Sequence, residues 1–222
     1  IIGLILAGLN WLFRWFLPPT VISGLLIVAM VLISGALHLD GFIDTCDGIA
    51  GHRTVEDRWR VMHDSRVGAF GVIGVFLLLL VKYVSLSSLP ESWLTITLLV
   101  MPVVSRWAMV YAVFAYHYAR PDGLGLAFKQ GASWQRLAIA TVITVLVVIG
   151  LLGWAGVSYF YLAGLVIMMV IWVVVVVMAD YLQRKLSGLT GDTYGAINEV
   201  AEVSVLILIG LLAYNRWFGL AV

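Results

Sequence analysis

The sequence predicts an all-α fold, a polytopic bundle of about seven transmembrane helices forming one membrane-embedded domain over residues 1–222. Three observations carry this reading. The chain is 63% hydrophobic and 11% charged, with mean hydropathy +1.06, whereas soluble domains carry about a quarter charged residues. Apolar runs of eighteen or more residues recur, and each is long enough to cross a bilayer as a helix. Helices also satisfy their own backbone polar groups, as lipid requires.

The apolar stretches fall at Ile1–Leu17, Val21–Leu37, Val67–Leu89, Ser92–Tyr118, Leu137–Gly153, Ser158–Ala179 and Ala196–Tyr214. The first has no basic leader or small-residue cleavage site and is not read as a signal peptide. Pro18-Pro19-Thr20 ends it. Leu89-Pro90-Glu91-Ser92 and Gly153-Trp154-Ala155-Gly156 divide later stretches. Trp11, Trp15, Lys82, Tyr83, Trp93, Trp154 and Tyr159 are read as interfacial anchors near segment ends. Cys46 is the only cysteine, so no intrachain disulfide forms.

Loop charge gives sidedness. The connections 18–20, 89–92 and 153–157 are short and almost uncharged. The other three, 37–66, 119–136 and 180–195, carry Arg53, Arg58, Arg60, Arg66, Arg120, Lys129, Arg136, Arg184 and Lys185, and are read as cytoplasmic. Seven crossings then leave the C-terminus outside. Eleven of the twelve acidic residues lie on or next to that same side, Glu91 excepted. No basic stripe with interleaved aromatics is present, which argues against a nucleic-acid partner.

The acids fall in helical register. Asp40, Asp44 and Asp47 stand at i, i+4 and i+7, so a second transmembrane helix continuing through them places all three on one face. Like charges so aligned repel, and a hard divalent cation such as Mg²⁺ relieves this while binding phosphate oxygens. A solvated acidic face is the plainer alternative. Thr54 with Asp57 marks a capped helix start, which makes Glu56, Asp57 and Arg58 structural or solvated. His63-Asp64-Ser65-Arg66 leads into the next apolar helix; Asp64 is a candidate metal ligand or base and Arg66 a candidate phosphate contact, each weighed against an ordinary ion pair. Gly191, Asp192 and Thr193 open the last helix in a small-residue setting suited to an anion. Glu199 and Glu202 fall inside its apolar run, where a carboxylate is a functional candidate or a partner for mid-helix Arg106.

His38-Leu39-Asp40-Gly41, Asp44-Thr45-Cys46-Asp47-Gly48, Asp64-Ser65-Arg66-Val67-Gly68, Ser105-Arg106, Asp122-Gly123-Leu124-Gly125 and Thr190-Gly191-Asp192-Thr193-Tyr194-Gly195-Ala196 together resemble the cobalamin synthase (adenosylcobinamide-GDP ribazoletransferase) family over nearly the whole chain. The resemblance departs at the start, where the family carries a further N-terminal segment. It implies a Mg²⁺-dependent enzyme of a prokaryotic cytoplasmic (inner) membrane, facing the cytoplasm. The implied reaction joins adenosylcobinamide-GDP to α-ribazole or its phosphate, releases GMP and forms adenosylcobalamin or its phosphate. The residues then divide into metal ligands Asp40, Asp44, Asp47 and Asp192, and substrate or phosphate contacts Arg66, Arg106, Gly191, Thr193 and Asp122. Asp64, His63 and Glu199 are the candidates for the proton acceptor. Partners are the two substrates and the bilayer, with oligomerisation left open.

Two enzyme alternatives use similar acids. Asp44-x-x-Asp47-Gly48 followed by Arg53 has part of a CDP-alcohol phosphotransferase signature but lacks its later half, and Asp40-x-x-x-Asp44 permits a prenyltransferase. A cation transporter is the rival of a different class, and it predicts ionisable residues at several membrane depths.

Overall fold

The computed structural model describes residues 1–51, 54–120 and 123–215, and among them it is helical with one isolated bridge. In chain order the helices are α1 (Ile2–Phe13), α2 (Pro19–Ile33), α3 (Leu37–Ile49), α4 (Val55–Met62) and α5 (Ala69–Ser88). They continue with α6 (Glu91–Ala115), α7 (Leu124–Gln130), α8 (Trp134–Trp154), α9 (Phe160–Leu186) and α10 (Gly191–Asn215). Five of them, α5, α6, α8, α9 and α10, are long and apolar enough to cross a membrane. A sixth span exists if α2 and α3 are counted as one broken segment, bent by 89°. Helix α1 has 12 residues, about 18 Å at the α-helical rise, short of the ~30 Å hydrocarbon core. Five or six spans thus stand among the described residues against the seven expected.

The break between α2 and α3 corrects the expectation of one helix running through the carboxylates. Gly35 adopts φ +60°, the Gly35 N–H donates to Leu32 O and the Ala36 N–H to Val31 O. This pair of bonds is a Schellman stop, which consumes the last carbonyls of α2 and turns the chain. Asp40, Asp44 and Asp47 stay in register on one helix, but that helix is the separate α3.

Helices α6 and α10 form the buried centre, while α5 and α8 turn most of their surface outward. At one end Arg14 pairs with Glu91 at 3.3 Å, so the α1–α2 and α5–α6 connections lie together. The opposite end collects α3, α4, α7 and the start of α10. Helix α3 lies against α10 where side chains are absent: a Cβ at Gly41 would stand 2.7 Å from the Asp192 carbonyl oxygen, and one at Gly195 3.0 Å from that of His38. Thr54 caps α4 as expected, accepting from the Asp57 N–H at 3.2 Å. Arg58 is buried and donates to the carbonyls of Gly48, Ile49 and Gly51, closing the C-terminal end of α3 with a cation.

Candidate active site

Two chain segments bring the site together. The 117–119 stretch runs beside Leu189: the Ala119 N–H donates to Leu189 O and the Leu189 N–H to His117 O, both at 2.8 Å. Gly188, at φ +138°, lets the chains approach, since a Cβ there would stand 2.9 Å from Ala119. Next to this tie Thr190 and Thr193 close the start of α10. The Thr193 N–H donates to Thr190 Oγ1, and Thr193 Oγ1 accepts from the Thr190 N–H at 2.8 Å. Arg120 is thereby set 3.2 Å from the Asp192 carboxylate.

Asp192 and Asp40 line a cavity of about 650 Å³ between α3, α6, α7, α8 and the start of α10. His38, Arg120, Gly191 and Arg136 also line it, and its remaining wall is largely apolar, with Phe114, Phe128, Val113 and Leu137. Beside it Asp44 is half-buried and feels the negative charges of Asp40, Asp192 and Asp47 against the single positive charge of Arg120. The sequence grouped these four acids as metal ligands. Among the described residues no three acidic, histidine or cysteine side chains converge as a ready-made metal cage. The donor set nevertheless suits Mg²⁺, which takes one or two carboxylates and fills its sphere with water and substrate phosphate oxygens.

Asp47 stands apart from the other three. Its Oδ2 accepts from the Gly68 N–H at 2.8 Å and its Oδ1 from the Gly71 N–H at 2.9 Å. A carboxylate of α3 thus caps the otherwise uncapped start of α5, where the helix dipole also favours negative charge.

The other sequence candidates are placed as follows. Arg66 is exposed and grips Asp64 through Nε and Nη2 at 3.1 and 2.8 Å. Those hydrogen bonds hold the Asp64 carboxyl down to about 2. The exposed His63 has Nδ1 2.7 Å from Trp59 O. Asp122 lies outside the described residues. Thr193 is fully buried with its hydroxyl engaged in the helix start, while Gly191 faces the cavity. Glu199 belongs to a buried ion network: Lys82 Nζ donates to Glu199 and Glu202 at 2.6 Å each, and Arg106 pairs with Glu202.

The sequence missed Lys82 and Arg120. Lys82 was read as an interfacial anchor, but it is 3% exposed and mid-bundle. Its signal was a lone lysine inside Val67–Leu89, with two glutamates, Glu199 and Glu202, on another helix set against the single mid-helix Arg106. Arg120 was counted only as a loop charge. The space beside the Lys82 network is about 10 Å³, roughly one water.

Fold and site define a class: a polytopic helical membrane protein with a carboxylate-rimmed, largely apolar cavity at one end of its bundle. A model of the family described as cobalamin-5-phosphate synthase matches residues 1–210, and the chain belongs to that family. A protein of Geotalea daltonii named adenosylcobinamide-GDP ribazoletransferase is 38% identical over 218 residues, covering 98% of this chain and 83% of its own. Proteins of the same name from Roseiflexus sp. and Thermosynechococcus vestitus are each 35% identical, covering 97% and 93% of this chain and 77% and 82% of theirs. No solved structure matches the chain.

Proposed function

We propose that the protein is a Mg²⁺-dependent adenosylcobinamide-GDP ribazoletransferase, acting at the cytoplasmic face of a prokaryotic membrane. In this reaction the hydroxyl oxygen of the α-ribazole ribose bonds to the corrinoid-side phosphorus of the diphosphate. The bond from that phosphorus to the GMP oxygen breaks, the hydroxyl loses its proton and GMP departs. The same chemistry serves α-ribazole or its phosphate. The single observation that carries the reading is the gathering of the carboxylates Asp40, Asp44 and Asp192 at a cavity that Arg120 also lines, with Arg120 paired to Asp192.

The donor diphosphate approaches such a site only if the negative charge of the carboxylates is offset. Mg²⁺ held by one or two of Asp40, Asp44 and Asp192, with water and phosphate oxygens filling its sphere, would offset charge on the diphosphate. The protein's own groups do the rest. Arg120 is held by Asp192 and by the tie to Leu189, so its guanidinium is pre-oriented toward a phosphate at the cavity. Asp47 fixes α3 against α5 and so sets the height of Asp44. His38 lines the cavity and is the group left to take the hydroxyl proton, whereas Asp64 is committed to Arg66 and Glu199 to Lys82. The volume of 650 Å³ suits a ligand of drug size, which is the scale of the nucleoside acceptor. The corrin ring is then left at the mouth.

The test is purified protein with adenosylcobinamide-GDP, α-ribazole and Mg²⁺. Wild type is expected to release GMP and form the cobalamin, and Asp44→Asn to be slower by about 10²–10³-fold, the loss seen when charge stabilisation of a transition state is removed. No GMP from wild type, or an undiminished Asp44→Asn rate, contradicts the assignment.

A further inference from the structure

The reaction outlined above leaves one cavity-lining cation unused. Arg136 stands on the first turn of α8, at the rim of the cavity. Its Nη1 donates to Gly131 O at 2.6 Å, which anchors the guanidinium to the α7–α8 corner. Five other cations near this end are committed. Arg120 pairs with Asp192, Arg106 with Glu202, Arg66 with Asp64 and Arg60 with Asp57. Lys129 Nζ donates to the carbonyls of Val113, Phe114 and Tyr116, which ties α7 to the end of α6. Among the described residues no carboxylate stands within ion-pair distance of Arg136, which is solvent-exposed. The cavity therefore has carboxylates and Arg120 contributed from α3, α10 and the 117–120 stretch. It also has Arg136, contributed from α8 and without a carboxylate partner among the described residues, and an apolar wall that includes Phe114 and Phe128.

Such a cavity fits a nucleoside with an aromatic base and a second anionic group remote from the reacting hydroxyl. We propose that Arg136 binds the 5′-phosphate of the acceptor and so selects α-ribazole 5′-phosphate over α-ribazole. This rests on the transferase reading given above. The donor diphosphate is the other source of phosphate, but it carries the reacting phosphorus and belongs with the carboxylates. A phosphate monoester carries about −1.5 to −2 charges at neutral pH, and an arginine fork is the side chain best matched to it.

The measurement is KM and kcat for each acceptor and for the donor, in wild type, Arg136→Gln and Gly131→Ala. Arg136→Gln is expected to raise KM for α-ribazole 5′-phosphate by about 10–100-fold, as loss of a charged hydrogen-bond partner does. KM for α-ribazole, KM for the donor and kcat with either acceptor stay within about twofold. Gly131→Ala keeps the charge but places a Cβ 2.9 Å from Nη1, and it shifts the acceptor ratio in the same direction by less. Equal losses on both acceptors, no loss, or a rise confined to the donor KM overturns the proposal. Inactivity of wild type with both acceptors instead overturns the transferase reading, so the two failures are distinguishable.

Discussion

Asp44 and Asp47 lie three residues apart on α3, and their surroundings give them opposite consequences on removal. Asp47 accepts two backbone N–H groups at the start of α5 and is 8% exposed. Asp47→Ala leaves both donors without a partner and is expected to cost about 1–2 kcal/mol, as loss of a helix cap does. That lowers the melting temperature by roughly 2–8 °C for a chain of this size. Asp44 sits among three like charges with one opposing arginine. Asp44→Asn is expected to leave the metal-free melting temperature unchanged or raise it, while activity falls. Thermal unfolding of both variants in one detergent checks this, and a drop for Asp44→Asn matching that of Asp47→Ala would remove the distinction. Reading Asp40, Asp44 and Asp47 as one facial set was legible from spacing alone. The capping role of Asp47 was not, because its partners are backbone amides 21 and 24 residues away, which leave no mark on side-chain periodicity.

At the scale of elements, the site depends on how closely α3 lies against α10. Gly41 faces the Asp192 backbone and Gly195 the His38 backbone, and neither backbone can yield as a flexible side chain does. Gly41→Ala is therefore expected to push the two helices apart and lower activity by at least tenfold, read as GMP release at saturating substrates. Unchanged turnover would show that this packing does not set the site. The buried network joins α5, α6 and α10 by a different principle. Lys82→Met strands Glu199 and part of Glu202 in the bundle and is expected to destabilise by about 3–5 kcal/mol, whereas Lys82→Met with Glu199→Gln recovers part of it. Unfolding in denaturant compares the two, and equal stability would mean the pair is not coupled. The five long helices after residue 66 were legible because long apolar runs admit little else in a bilayer, whereas the short α7 fell inside a stretch read as a loop. The α2–α3 break was less so: Ser34-Gly35 is a weak stop signal inside an apolar run, and only the Schellman bonds at Val31 and Leu32 give it force. Lys82 was misread because its two partners lie more than a hundred residues away.

For the whole molecule, five or six spans hold one polar end in place. Helices α6 and α10 supply a rigid centre, and α5 and α8 present apolar faces outward, as a bilayer requires. The acids and their arginines gather where α3, α10 and the 117–120 stretch meet, and the cavity opens between that cluster and the α7–α8 corner. On the proposed reading the bundle is a scaffold for phosphoryl transfer, in which these carboxylates work through a divalent cation. The direct test is GMP release from adenosylcobinamide-GDP by wild type and Asp44→Asn, each measured across a Mg²⁺ titration and after chelation. The account predicts that chelation abolishes wild-type turnover, that Mg²⁺ restores it, and that Asp44→Asn needs at least tenfold more Mg²⁺ for half its own lower maximum. Turnover that survives chelation, or an identical Mg²⁺ requirement in the two proteins, would contradict it.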